Sequence, residues 1–150
     1  CSSDLVISLT KAHSSAEIGF LRKVLQIFEK YNVSIEAVPV TVDTYSIVVQ
    51  THLINHCLYE IIGELKETVH PEDIRVEDHQ AMIAVVGREM KQRAGISGQL
   101  LSEFGRNKIN IRTISQSSYE LTIMIGVSDN DFEKSIKAIY EKFVAEEKKQ

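Results

Sequence analysis

Apolar residues recur along the chain with two periods, one of about two residues and one of about 3.6, and the switches between them mark out the elements. The run "DLVISLT" at 4–10 is short, apolar and rich in β-branched residues, which predicts a strand. Phe20, Leu21, Val24, Leu25, Phe28 and Tyr31 follow at helical spacing, with Arg22, Lys23, Gln26, Glu29 and Lys30 on the opposite face. Ser14 or Ser15 can cap this helix, and Asn32 stands where a helix stops. "VSIEAV" at 33–38 and "TYSIVVQ" at 44–50 read as strands, and Pro39 between them suits a bend or an edge. A second helix is predicted over 53–68, with Leu53, Ile54, Cys57, Leu58, Ile61, Ile62 and Leu65 on one side. Pro71 ends it, and "DIRVEDH" at 73–79 supplies a fourth strand. The order βαββαβ, with one apolar stripe per helix, predicts an α+β, ferredoxin-like fold in which an antiparallel sheet carries helices on one face.

The pattern then repeats. Laying Gly95 on Gly19 brings Leu100 onto Val24, Leu101 onto Leu25, Phe104 onto Phe28, Ile109 onto Val33, Ile111 onto Ile35 and Ile114 onto Val38 without a gap. The same offset carries "MIAVV" at 82–86 onto "VISLT" at 6–10, and "LTIMI" at 121–125 onto "YSIVV" at 45–49. After a two-residue shift Phe132, Ile136, Ile139 and Phe143 answer to Ile54, Leu58, Ile61 and Leu65. A second copy is therefore expected: strand 80–87, helix 95–106, strands 108–116 and 120–127, and helix 129–144. It lacks a fourth strand, so its sheet edge needs a partner from elsewhere. The expected modules are 1–79 and 80–150.

Modules of about 75 residues bury a modest share of their surface, and each is expected to lean on the other or on a second chain. A hydrophobic content of 43% and a charged content of 25% are ordinary for a soluble globular protein. The net charge of −4, spread without blocks, argues against nucleic acid as a partner. No apolar run approaches the roughly 20 residues that cross a bilayer, so no membrane partner is expected. Cys1 and Cys57 give no disulfide framework, and a cytoplasmic setting is the simpler expectation. With no initiator Met and no signal peptide, the chain is expected to begin inside a longer protein.

The recurring glycine is where ligand chemistry enters. A helix's first N–H groups have no internal partner, and with the helix dipole they favour an anion such as a carboxylate. Gly19 and Gly95 stand at that turn, although a bend alone explains a glycine there. Ser34 and Glu36, at the start of the following strand, share a face. A docked amino acid would set its carboxylate on the helix amides and its ammonium on an acid such as Glu36. The second copy has Asn110 and Arg112 at these positions, opposite in sign, so the two copies should not bind one ligand in one way.

The stretch 17–49, with its helix, strand and "PVTVDT" loop, resembles the first ACT module of the regulatory region of aspartate kinases, and 81–127 resembles the second, most specifically through "NIRTISQSSYEL" at 110–121. The resemblance implies tandem ACT modules that bind an end-product amino acid, lysine or threonine, at a module interface and inhibit the kinase. It also implies chains that dimerise through their ACT sheets. Carried over, the effector site would use Ser14, Ser15, Glu17 and Ile18 of the loop, Gly19, Phe20 and Leu21 of the turn, and Ser34, Ile35 and Glu36 of the strand, with Val40 and Thr41 following. Val40 and Thr41 stand where serine and glycine are usual, and Ser117, Tyr119 and Thr122 also depart from the pattern.

Catalysis in the chain itself is not expected. There is no phosphate-binding glycine loop and no nucleophile elbow, and ATP and aspartate would bind a catalytic domain outside these residues. His52 and His56 could share a helix face, but without a third ligand at useful spacing no metal is expected. The other reading kept open is a free-standing ACT or ferredoxin-like interaction module without a kinase.

Overall fold

In the computed structural model, residues 3–13, 19–86, 95–116 and 122–144 are described. The elements are β1 (Asp4–Thr10), α1 (Phe20–Lys30), β2 (Ile35–Ala37), β3 (Thr44–Gln50), α2 (Thr51–Ile54), α3 (Leu58–Val69), β4 (Asp73–Val86), α4 (Ile96–Arg106), β5 (Thr113–Gln116), β6 (Thr122–Ser128) and α5 (Phe132–Ile139). The chain divides into two compact units, Cys1–Asp78 and His79–Gln150.

In the first unit the strand order is β2-β3-β1-β4, which with two helices on one face is the ferredoxin-like arrangement expected from the pattern. β1 and β3 pair antiparallel from Asp4↔Gln50 to Thr10↔Thr44, so Leu5, Ile7 and Leu9 share a face with Tyr45, Ile47 and Val49. That face meets Phe20, Val24, Ile27 and Phe28 of α1 and Ile61, Leu65 and Val69 of α3 in one buried core. Phe28 and its counterpart Phe104 are both fully buried, and truncating such a ring to alanine costs about 3–5 kcal/mol.

In the second unit β6 lies between the second part of β4 and β5. The register runs from Gln80↔Ser128 to Val86↔Thr122 on one side of β6, and from Thr113↔Gly126 to Gln116↔Ile123 on the other. Leu100, Phe104 and Ala138 pack on Ala81, Ile83, Ile123, Ile125 and Val127. Among the described residues this sheet has three strands.

Several boundaries differ from the pattern. The expected strands 73–79 and 80–87 are one element, β4, in which His79 takes a positive φ of 55°. The helix expected over 53–68 is broken at Cys57, whose φ of −133° leaves the helical region. Cys57 itself is buried, and burial pushes its thiol pKa up, with Glu60 adding to the effect. Strand β2 covers only 35–37 and β5 only 113–116, because Val33 and Ile109 are used instead to close the helix ends, donating to the Phe28 and Phe104 carbonyls at 3.0 and 2.9 Å. The last helix begins as a 3-10 turn at Asp129–Asp131 and ends as a π turn at Tyr140–Val144.

The duplication extends to the backbone. α1 starts at Gly19 (φ 78°) and α4 at Gly95 (φ 86°), and Asn32 and Lys108 follow these helices with φ 57° in both cases. Lysine pays a steric cost in that region that asparagine largely escapes. Replacing Lys108 by asparagine should therefore raise stability by about 1 kcal/mol, seen as a higher denaturant midpoint at unchanged m-value.

Between α1 and α3 a polar brace closes the first unit. Glu64 accepts from Lys30 Nζ and from the Tyr31 hydroxyl, each at 2.6 Å. The bond to Glu64 is the main reason the Tyr31 pKa rises to about 12, while Lys30 and then Tyr31 hold the Glu64 carboxyl below its usual range. The raised phenol contributes stability that is present below its unfolded pKa of 10.0 and lost as pH climbs through about 12. The lowered carboxyl contributes stability that is present above its ordinary pKa and lost as pH falls through the lower folded value. Glu64→Gln should return one of the five tyrosines to a titration near 10, read as phenolate absorbance against the wild type.

Candidate functional site

α1 opens directly on Gly19, with no side-chain cap among the described residues; Ser14 and Ser15, the caps expected from the sequence, lie outside the described residues, as do Glu17 and Ile18. The left-handed φ of Gly19 is what brings the chain into the helix, and no acidic residue occupies the first turn to neutralise its amides. A Cβ added at Gly19 would come no closer than 3.7 Å to another group, that group being Arg22 Nε. Among the described residues the turn is therefore open, and the Arg22 guanidinium, which donates to Gln26 Oε1 at 3.2 Å, stands beside it. Pattern reading placed Arg22 on the solvent face and assigned it nothing; its position three residues after the glycine is the signal that could have found it.

Phe20 is only 2% exposed and stacks on Tyr45 with ring centroids 4.9 Å apart, so it shapes the turn from inside the core. Leu21 is half-buried against the same core. Val40 forms an isolated bridge to Tyr45 and is 51% exposed, and the Thr41 amide donates to the Thr44 carbonyl at 2.9 Å. Tyr45 thus meets Phe20 and Val40 at one end of the sheet, with Gly19 and Thr41 next to them in the chain.

Ser34, Ile35 and Glu36 lie at the other end. Ile35 pairs with Val49, four residues along β3 from Tyr45, a separation of about 13 Å at strand rise. Here the C-terminal end of α1 and the start of β2 enclose a shallow open groove of about 470 Å³, with Leu25, Val33, Ile35 and Val38 as its apolar wall and Glu29, Asn32 and Ser34 as its polar edge. Glu36 is exposed and accepts from Gln50 Nε2 at 2.9 Å. An α-ammonium and an α-carboxylate share one carbon. One copy of the first unit therefore cannot offer the amides after Gly19 to the carboxylate and Glu36 to the ammonium of the same molecule.

The second unit repeats the turn with different chemistry. At the positions matching Leu21 and Val40 stand Ser97 and Gln116, and the Ser97 hydroxyl donates to Gln116 Oε1 at 3.1 Å, tying the start of α4 to the end of β5. Ser117 and Tyr119 lie outside the described residues. His52 and His56 are exposed while Cys57 is buried, and among the described residues no cluster of three metal-ligating side chains occurs. Among the same residues no helix is long and apolar enough to cross a membrane.

Two ferredoxin-like units, each with a glycine-headed first helix, define a tandem α+β module, and residues 83–143 match the family of ACT domains. Those residues are an ACT domain, and the chain as a whole is homologous to aspartokinases and similar in fold to their regulatory regions. It is 31% identical over 140 residues to Aspartokinase 3 of Bacillus subtilis, a match covering 93% of this chain and 31% of that enzyme. The aspartate kinase structure from Clostridium acetobutylicum superposes with a TM-score of 0.89 at 36% identity, over 95% of this chain and 33% of that one. E. coli aspartokinase III in complex with lysine and aspartate, in a T-state, shares the fold at 18% identity with a TM-score of 0.74, over 95% of this chain and 32% of that one. The chain thus spans about a third of the length of these relatives.

Gly19 and Gly95 have room for a methyl group, so their requirement for glycine is conformational. Gly19→Ala and Gly95→Ala should each lower stability by about 1–2 kcal/mol through left-handed strain, measured as a shift in denaturant midpoint.

Proposed function

We propose that this chain is the amino-acid-sensing part of an aspartate kinase: an end-product amino acid, lysine before threonine, binds the first unit and transmits feedback inhibition to a catalytic domain elsewhere in the protein, where ATP and aspartate bind. The observation that carries this reading is the turn at Gly19, open and uncapped among the described residues, with Arg22 beside it as a receptor for one carboxylate, set in a fold shared with a kinase solved as a lysine complex.

The 13 Å gap of about four strand residues is closed by a second copy. β2 is an edge strand of its unit and offers unpaired backbone groups. Antiparallel pairing of β2 with its equivalent about a two-fold axis reverses direction, so 34–36 of one copy approach 40–41 and the Gly19 turn of the other. The exposed Val40 and Val42 at that edge are then covered. The ligand carboxylate meets the amides after Gly19, and Glu36 of the second copy meets an ammonium. Inhibition follows if the ligand binds the inhibited arrangement of the dimer more tightly, with coupling of about 1–3 kcal/mol.

Calorimetric titration with lysine, threonine and methionine, alongside solution mass, tests this. The expected result is a dimer that gives heat with lysine and loses it on Glu36→Ala. Silence with all three amino acids from a chain shown to be dimeric would favour an interaction module with no effector.

A further inference from the structure

The Lys11 side chain does work that the repeat does not explain, since the second copy has Gly87 at the matching position. Its ammonium donates to the Val69 carbonyl at 2.6 Å and stands 5.4 Å from the centroid of the Phe20 ring. Val69 is the last residue of α3, where carbonyls have no partner within the helix and the dipole favours a cation. Phe20 is the first residue of α1, and its ring face attracts the same cation. One ammonium therefore joins the opening of α1 to the end of α3.

The surrounding backbone keeps this junction in place. The Lys11 amide donates to the Asp43 carbonyl at 2.9 Å, and the Glu72 amide donates to the Thr10 carbonyl at 2.8 Å. Glu72 Oε1 in turn accepts from the Ala12 amide at 3.3 Å. Beyond α3 the chain turns through His70, at φ 47°, and enters β4. Movement at the turn after Gly19 thus displaces Phe20, the cation on its ring, and the helix end to which that cation is bonded.

We propose that Lys11 is the positioning residue of the effector turn, clamping the start of α1 to the end of α3 so that ligand binding at Gly19 and the setting of the α3–β4 connection change together. This rests on the effector reading above. It adds a residue that acts through Phe20 and Val69.

The test compares the full chain with Lys11→Met, which keeps most of the apolar stem without the charge, and Lys11→Arg, which keeps a cationic donor. Amide exchange is followed at Lys23, bonded to the Gly19 carbonyl at 3.0 Å, at Glu72, and at Val33 as a control at the far end of α1. In Lys11→Met, Lys23 and Glu72 should exchange about tenfold faster together while Val33 is unchanged, and arginine should restore both. Acceleration at only one of the two, equal loss at Val33, or no change overturns the clamp. Lysine titration supplies the second readout, with affinity about tenfold weaker in Lys11→Met and recovered in Lys11→Arg. Equal affinity in the methionine variant also overturns the proposal. If the wild-type chain binds no amino acid, the effector reading falls, and the clamp is decided by the exchange data alone.

Discussion

Both units depend on the way one helix is fixed to its sheet. α1 and α4 are each bracketed by a left-handed residue before the first turn and another just after the last, Gly19 with Asn32 and Gly95 with Lys108. These reversals bring the helix off the end of one strand and return the chain parallel to it. They set the angle at which Phe28 and Phe104 enter the core and leave the first helical amides facing outward. The apolar stripe drives the packing, and the bracketing residues set where each helix begins and ends.

Much of this was legible in the sequence because the two periods are strong and occur twice. The alternation in 4–10 and 44–50 maps onto β1 and β3. The apolar stripe of 20–31 maps onto α1, though Ile27 is fully in the core while Leu21 and Leu25 are only partly covered. Misplaced boundaries share a physical cause: local pattern cannot show where a backbone amide finds its partner. Val33 and Ile109 continue the apolar alternation of a strand, yet their amides close the preceding helices. Cys57 fits the helical stripe, yet its backbone breaks the helix.

The site was less legible, for a reason of direction. Strand alternation puts Ser34 and Glu36 on one face, but it does not say to which end of the sheet they belong. A helix crossover returns β2 parallel to β1, so the start of β2 lies beside the C-terminal end of α1 and away from Gly19. Once Tyr45 and Val49 are fixed by register, the halves of the expected site fall at opposite ends. The role of Lys11 is not legible in the sequence because Phe20 and Val69, which its ammonium meets, lie far apart in the chain and no periodicity connects them.

The repeat gives each unit the same glycine-headed helix start, and the difference between them lies in two side chains. In the first unit the positions beside the turn are Leu21 and Val40, which cannot hydrogen-bond to each other and leave the amides to an outside acceptor. In the second they are Ser97 and Gln116, which bond to each other across the same space. A ligand seated there must first separate that pair, giving up a hydrogen bond that its own groups have to replace, whereas the side chains of Leu21 and Val40 have no such bond to break. Chemical selectivity between the copies can thus arise without any change in fold. On the effector reading proposed above, the amino acid goes to the turn flanked by apolar side chains, and the turn closed by Ser97 and Gln116 serves as structural support.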